Sequence, residues 1–360
     1  MSKPKLFTPG PVDVAPETYA AMAGPAIGHR GADFEGLYAS IQPGIRQVIG
    51  TSRPVFFSTS SAWGVMEGCI RNLVQQKVLN LCCGAFSDKW YGVAQSCGKE
   101  AEKIQVEWGQ PIDPEAVRAK LSEGGFDTVT LVHNETSTGV LNPLKEIADI
   151  VKSFDDVLLV VDTVSSLSAM PINFDDLGID LLLAGVQKAI ALPPGLAVFV
   201  TSDAALERSA KVEDRGYYFD FCEFAKNDAK NNTPSTPAIP HLYALKERVD
   251  VMLKEGLANR FSRHEENNKM VHAWAEGHGF ELLPPEGYRS KSLSCFVTPD
   301  NLDQSGWIKA VIQKHGFAIN GGYGKIKGKT FRISNMGNET SETMQELLDA
   351  LDAELPAFLS

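Results

Sequence analysis

Five apolar residues that end in an acid, Val157-Leu158-Leu159-Val160-Val161-Asp162, constrain this chain more than any other stretch. An apolar run without polar alternation reads as a strand buried on both faces of a parallel sheet. A carboxylate at the end of such a strand needs a partner or a task, because burying an unpaired charge is expensive. A second run, Leu181-Leu182-Leu183-Ala184, leads into Gly185-Val186-Gln187-Lys188. Lys188 would therefore leave the same carboxyl edge of the sheet, where open α/β folds bind ligands. An acid and an amine then face one crevice.

Strand-like and helix-like patterns alternate from about residue 50 to residue 205. Val78–Leu81, Thr128–Val132, Val157–Val161, Leu181–Ala184 and Leu196–Val200 read as strands, with helical patterns at Pro114–Leu121 and Pro143–Val151. After the Pro-rich stretch Asn231–Pro237, helices are expected from Ile239 to about Gly277. Strand-like Ser292–Val297, helix-like Gln304–His315, strand-like Thr330–Ser334 and a terminal helix Ser341–Ala357 then suit a smaller α+β unit. The expected class is α/β, with a mostly parallel sheet sandwiched by helices and a smaller C-terminal α+β domain. The large domain is placed at residues 15–245, and the small one at 1–14 with 246–360.

The 360 residues suit about two domains by the usual length of roughly 150 residues each. A net charge of -11 without a basic cluster disfavours nucleic acid and anionic membranes as partners. No signal-like segment opens the chain and no run is long enough to span a bilayer, so a cytoplasmic location is expected. The six cysteines form no Cys-x-x-Cys pair or zinc pattern, and no metal site is expected.

A lysine and an acid converging at a sheet edge are the pairing that pyridoxal phosphate uses: an amine for the Schiff base, and a carboxylate to hold the pyridine nitrogen protonated. Three clusters bear on that reading. Ser58-Thr59-Ser60-Ser61-Ala62-Trp63-Gly64 precedes a helical pattern, so its hydroxyls and N–H groups suit an anion, or only an N-cap. Gly84-Ala85-Phe86 follows a strand, where an aromatic can stack on a ring or pack in the core. His133–Gly139 follows another strand and offers hydroxyls, or only a turn. Gly324–Thr330 looks like a phosphate loop but has Tyr323 where that motif needs its first glycine, and it leads into a strand.

Taken in order, these motifs resemble the class V, fold type I, pyridoxal-phosphate aminotransferases, in the branch of alanine:glyoxylate and serine:pyruvate enzymes. The resemblance runs nearly end to end. It rests on Thr8-Pro9-Gly10-Pro11-Val12, Gly28-His29-Arg30-Gly31, Ser61-Ala62-Trp63, Gly84-Ala85-Phe86, His133–Gly139, Val161-Asp162-Thr163-Val164, Gln187-Lys188, Thr233-Pro234-Ser235-Thr236-Pro237 and Phe331-Arg332-Ile333-Ser334.

The resemblance implies Lys188 as the Schiff-base lysine, Asp162 at the pyridinium nitrogen, Val164 under the ring and Phe86 stacked above it. It implies Thr136 at the phenolic oxygen, and Ser61, Ala62, Trp63 and Gln187 at the phosphate. Thr233 and Thr236 would reach the neighbouring subunit's phosphate, which implies a homodimer with shared sites. Arg332 would clamp the substrate's α-carboxylate, a task suited to its planar fork; on the residues alone it reads as a strand-rim residue with an ordinary salt bridge. The expected activity is ping-pong transfer of an amino group from serine or alanine to glyoxylate or pyruvate. His29 and Arg30 also resemble a substrate-phosphate pair of phosphoserine aminotransferases, which leaves 3-phosphoserine with 2-oxoglutarate as an alternative. A lyase of the cysteine desulfurase type is a further one, disfavoured by Phe86 where that group has a histidine.

Overall fold

The computed structural model describes residues 3–360. A seven-stranded sheet forms its centre: β1 (Phe56–Ser58), β2 (Lys77–Cys82), β3 (Glu100–Gln105), β4 (Thr128–Val132), β5 (Leu158–Asp162), β6 (Leu181–Gly185) and β7 (Ala197–Thr201), in the spatial order β1-β7-β6-β5-β4-β2-β3. All neighbours are parallel except β7, which runs antiparallel to both β1 and β6. The uninterrupted apolar runs follow from helices on both faces. Leu159 and Val161 of β5 pack into one layer with the helices Ala32–Ile49, Leu144–Val151 and Ile239–Glu255. Leu158 and Val160 pack into the opposite layer with the helix Ala62–Leu73, Trp90 and Phe221. Each strand residue thus buries its side chain whichever way it points, so no polar alternation is needed.

The elements foreseen from sequence are present, with shifted ends. β5 ends on Asp162 itself, which pairs with Val132 on one side and Leu183 on the other. The helical stretch after the Pro-rich segment is two helices, Ile239–Glu255 and Leu257–Gly277, divided at Gly256. The terminal helix stops at Glu354 and tightens into a 3-10 turn over Leu355–Phe358, where Pro356 cannot continue the hydrogen-bond ladder. Strand β3 carries Glu100, Glu102 and Lys103 and lies at the sheet edge, where charges face solvent.

A second, antiparallel sheet of β8 (Leu293–Val297), β9 (Asn320–Gly321) and β10 (Thr330–Ser334) packs with the helices Leu257–Gly277, Gln304–His315 and Ser341–Glu354. Phe331 and Ile333 of β10 enter that core, and Phe331 meets Trp307 edge-on at 5.3 Å between ring centroids. Strand alternation therefore sends Arg332 to the other face, toward the large sheet. The start of the chain is stitched to this region, since Lys5–Leu6 pairs in parallel with Phe317–Ala318. That pairing carries Thr8-Pro9-Gly10 across to Lys188.

Candidate active site

Lys188 and Asp162 reach one cleft at the carboxyl edge of the large sheet. Ser61, Ala62, Trp63, Phe86, Thr136, Val164 and Gln187 line the same cleft, whose cavity volume is about 80 Å³. Met66, Val132 and Asn134 complete its wall and were not singled out from sequence. The chain brings these groups together because β2, β4, β5 and β6 are adjacent and parallel, so the turns that follow them open on one side.

Asp162 is held rather than free. Val164 N–H donates to its Oδ1 at 2.9 Å, and the indole N–H of Trp90 donates to its Oδ2 at 3.2 Å. Burial outweighs these bonds and pushes its carboxyl up to about 6. Trp90 is a partner that sequence reasoning missed; it lies four residues past Phe86, one helical turn along Ala85–Ser96.

Lys188 is buried, and its amine lies 5.8 Å from the Phe86 ring centroid. Burial pulls it down to about 7, with the Arg332 charge adding to the fall and Asp162 and Glu135 opposing it. The amine donates to the carbonyl of Pro9. Gly10 permits this approach: its φ is 103°, and a Cβ there would stand 2.4 Å from Lys188 Cδ. The Thr-Pro-Gly opening thus has a physical task, as the wall against which the lysine rests.

Arg332 is buried at the border of the cleft. Its Nη1 donates to the Thr136 carbonyl at 3.1 Å, and its Nε and Nη2 donate to the Gly321 carbonyl at 3.2 and 3.0 Å. Among the described residues no carboxylate lies within 4.0 Å of it, so the ordinary salt bridge left open by the sequence is absent. A buried guanidinium with only backbone acceptors has capacity left for an anion.

Ser61 stands at the N-cap of Ala62–Leu73, yet its side chain makes no capping hydrogen bond and is exposed. Its hydroxyl and the helix's first N–H groups remain available to an anion. The Thr136 hydroxyl bonds Ser165 Oγ at 2.9 Å, and Ser165 in turn donates to the Asn134 carbonyl at 2.7 Å.

His29, Arg30, Thr233 and Thr236 gather elsewhere. They line a separate surface cleft with Tyr217, Tyr218 and Lys230, which shares no lining residue with the Lys188 cleft. None of the six cysteines lines the Lys188 cleft either.

The class V aminotransferase family model matches residues 15–346 of this chain. The chain belongs to the class V aminotransferases. It is 38% identical to an uncharacterised aminotransferase of Methanocaldococcus jannaschii over 340 residues, 93% of this chain and 88% of that protein. It is 30% identical to a serine–glyoxylate aminotransferase of Methylorubrum extorquens over 349 residues, 92% of this chain and 86% of that protein. An alanine–glyoxylate aminotransferase from Nostoc sp., solved as a crystal structure, superposes with a TM-score of 0.93 at 30% identity and covers 98% of this chain and 95% of its own.

This class V aminotransferase is accordingly a pyridoxal-phosphate-dependent enzyme of fold type I. The cleft suits the cofactor that membership implies. It offers an amine, a carboxylate, an aromatic face and an unused hydroxyl at a helix start, and Asn134 Oδ1 is buried in its wall without a partner. No described helix is long and apolar enough to cross a membrane.

Proposed function

We propose that this aminotransferase moves an amino group from serine or alanine to glyoxylate or pyruvate in two half-reactions at one cleft. One observation carries the reading: a buried Arg332 whose guanidinium meets only backbone carbonyls, one of them that of Thr136 in the Lys188 cleft, and whose charge acts on Lys188. Pyridoxal phosphate, when bound, supplies the carbonyl that amines condense with and a ring that takes up the electron pair left at the substrate Cα. Asp162 would hold a proton on the ring nitrogen, its carboxylate fixed by Val164 and Trp90. Val164 and Phe86 would cover the two ring faces, and Thr136 would meet the phenolic oxygen. Ser61, Ala62, Trp63 and Gln187 would hold the phosphate.

Arg332 would bind the substrate's carboxylate and so orient its Cα–H bond toward Lys188. Lys188 would hold the cofactor through its amine and would be the base that takes the proton from Cα. Its depressed basicity suits that task near neutral pH, because a large fraction of the amine is then unprotonated. Thr233 and Thr236, which line a different cleft from Lys188 in their own chain, would complete the phosphate site of a second copy in a homodimer.

Initial rates with L-serine, L-alanine and L-phosphoserine, each against glyoxylate, pyruvate and 2-oxoglutarate, test the proposal. Parallel double-reciprocal lines with a preference for serine or alanine are expected. A preference for phosphoserine with 2-oxoglutarate would instead give His29 and Arg30 a substrate phosphate, contributed from the second cleft. Sulfide release from L-cysteine in place of transamination would overturn the reaction type.

A further inference from the structure

Glu135 is a fully buried carboxylate that the proposed reaction does not use. It lies between the turn after β4 and the start of the helix Ala85–Ser96. Its Oε2 accepts from Ser87 N–H at 2.9 Å and from the Ser87 hydroxyl at 3.0 Å. Its Oε1 accepts from Phe86 N–H at 3.3 Å, Ser137 N–H at 3.1 Å and the Ser137 hydroxyl at 2.6 Å. Ser137 Oγ also accepts from Ala85 N–H at 2.9 Å. The first N–H groups of that helix are thereby gathered onto one anion. Room for it comes from Gly84, where a Cβ would stand 2.3 Å from Glu135 Cγ.

We propose that Glu135 is a positioning residue: its carboxylate fixes the Phe86 ring over Lys188 and places one negative charge behind the Lys188–Arg332 pair. The proposal rests on the reading of Phe86 and Lys188 given above. A neutral amide has a single acceptor oxygen and could not accept from all five donors, so the site calls for a carboxylate, whose charge also acts on the cations beyond it. Lys188 and Arg332 both feel that charge, as do the acid Asp162 and the buried thiols Cys82 and Cys83. Asp162 acts on Lys188, whereas Glu135 acts on both Lys188 and Arg332.

Two variants separate charge from position. Glu135→Gln removes the charge and turns an N–H₂ group toward donors, while Glu135→Asp keeps the charge on a shorter arm. Each is loaded with pyridoxal phosphate and compared with the parent by the pH midpoint of the cofactor's visible absorption and by the equilibrium dissociation constant for the cofactor. Loss of an anion destabilises the protonated nitrogen of the lysine linkage, so Glu135→Gln should lower the midpoint by about one pH unit. Glu135→Asp should hold the midpoint but weaken cofactor binding about tenfold, because the helix start is no longer clamped. Thermal unfolding of the cofactor-free proteins controls for folding; should Glu135→Gln not fold, a wild-type midpoint with weakened binding in Glu135→Asp supports the proposal, and a shifted midpoint there contradicts it. Midpoint and affinity unchanged in Glu135→Gln, or affinity losses that only track melting temperature, would overturn it. A parent protein that neither colours nor transaminates would instead defeat the proposed function.

Discussion

Burial acts in opposite directions on the two ends of the Lys188–Asp162 pair. It favours the neutral amine and the neutral carboxyl, which brings both groups into the range where they exchange protons near neutral pH. Because the lysine is lowered, its reactive free base appears as pH rises through about 7, well below the ordinary lysine range. The initial rate of pyridoxal phosphate capture by cofactor-free protein should therefore rise with a midpoint near that pH; a midpoint near the unperturbed lysine value would show that the amine is not desolvated. Arg332 permits a second test. Arg332→Ala should leave the bound cofactor's absorption in place but lower kcat/KM about 100-fold, mostly through KM, since a buried partner of the substrate carboxylate is lost. A variant that transaminates at the parental rate would assign the carboxylate to another group. Gly10→Ala adds a Cβ against the lysine stem on a left-handed backbone, and should cost about 1–3 kcal/mol in thermal unfolding and slow cofactor capture. Unchanged stability and capture would mean that the Thr8–Pro11 segment does not brace Lys188.

At the scale of elements, the legibility of the sequence followed the number of faces an element buries. β4, β5 and β6 lie under helices on both sides, and their apolar runs could be read within a residue or two. β3 is an edge strand with alternating charges, and β1 has only three residues, so neither left a usable pattern. The site divided in the same way. Lys188, Asp162, Phe86 and the Ser61 loop follow directly from strand ends and helix starts, and all line one cleft. Trp90, Asn134 and Glu135 could not be read, because what defines them is a contact across elements. Trp90 looks like helix filling until Asp162 is seen against its indole nitrogen. Gly84 belongs to this level: Gly84→Ala would drive a methyl into the Glu135 side chain and should destabilise the fold by about 1–3 kcal/mol. An unperturbed melting temperature would show that the helix start yields without cost.

At the scale of the whole molecule, the Thr233–Thr236 segment and the His29–Arg30 pair line a different cleft from Lys188. The proposed sharing of a site between copies would account for that separation, with a consequence for mixed assemblies. A chain carrying Lys188→Ala and a chain carrying Thr233→Ala with Thr236→Ala would each be impaired alone. Unfolded together and refolded, they should regain activity well above either parent, because one of the two sites in each mixed dimer draws only on intact residues. Mixed dimers that form without any gain would place the threonines outside the neighbouring site.

The proposed chemistry requires a covalent bond at position 188. Protein incubated with pyridoxal phosphate, reduced with borohydride, digested and sequenced by mass spectrometry should carry the pyridoxyl group on Lys188, with the label lost in Lys188→Ala. Label on a different lysine, or none on a protein that has bound the cofactor, would contradict it.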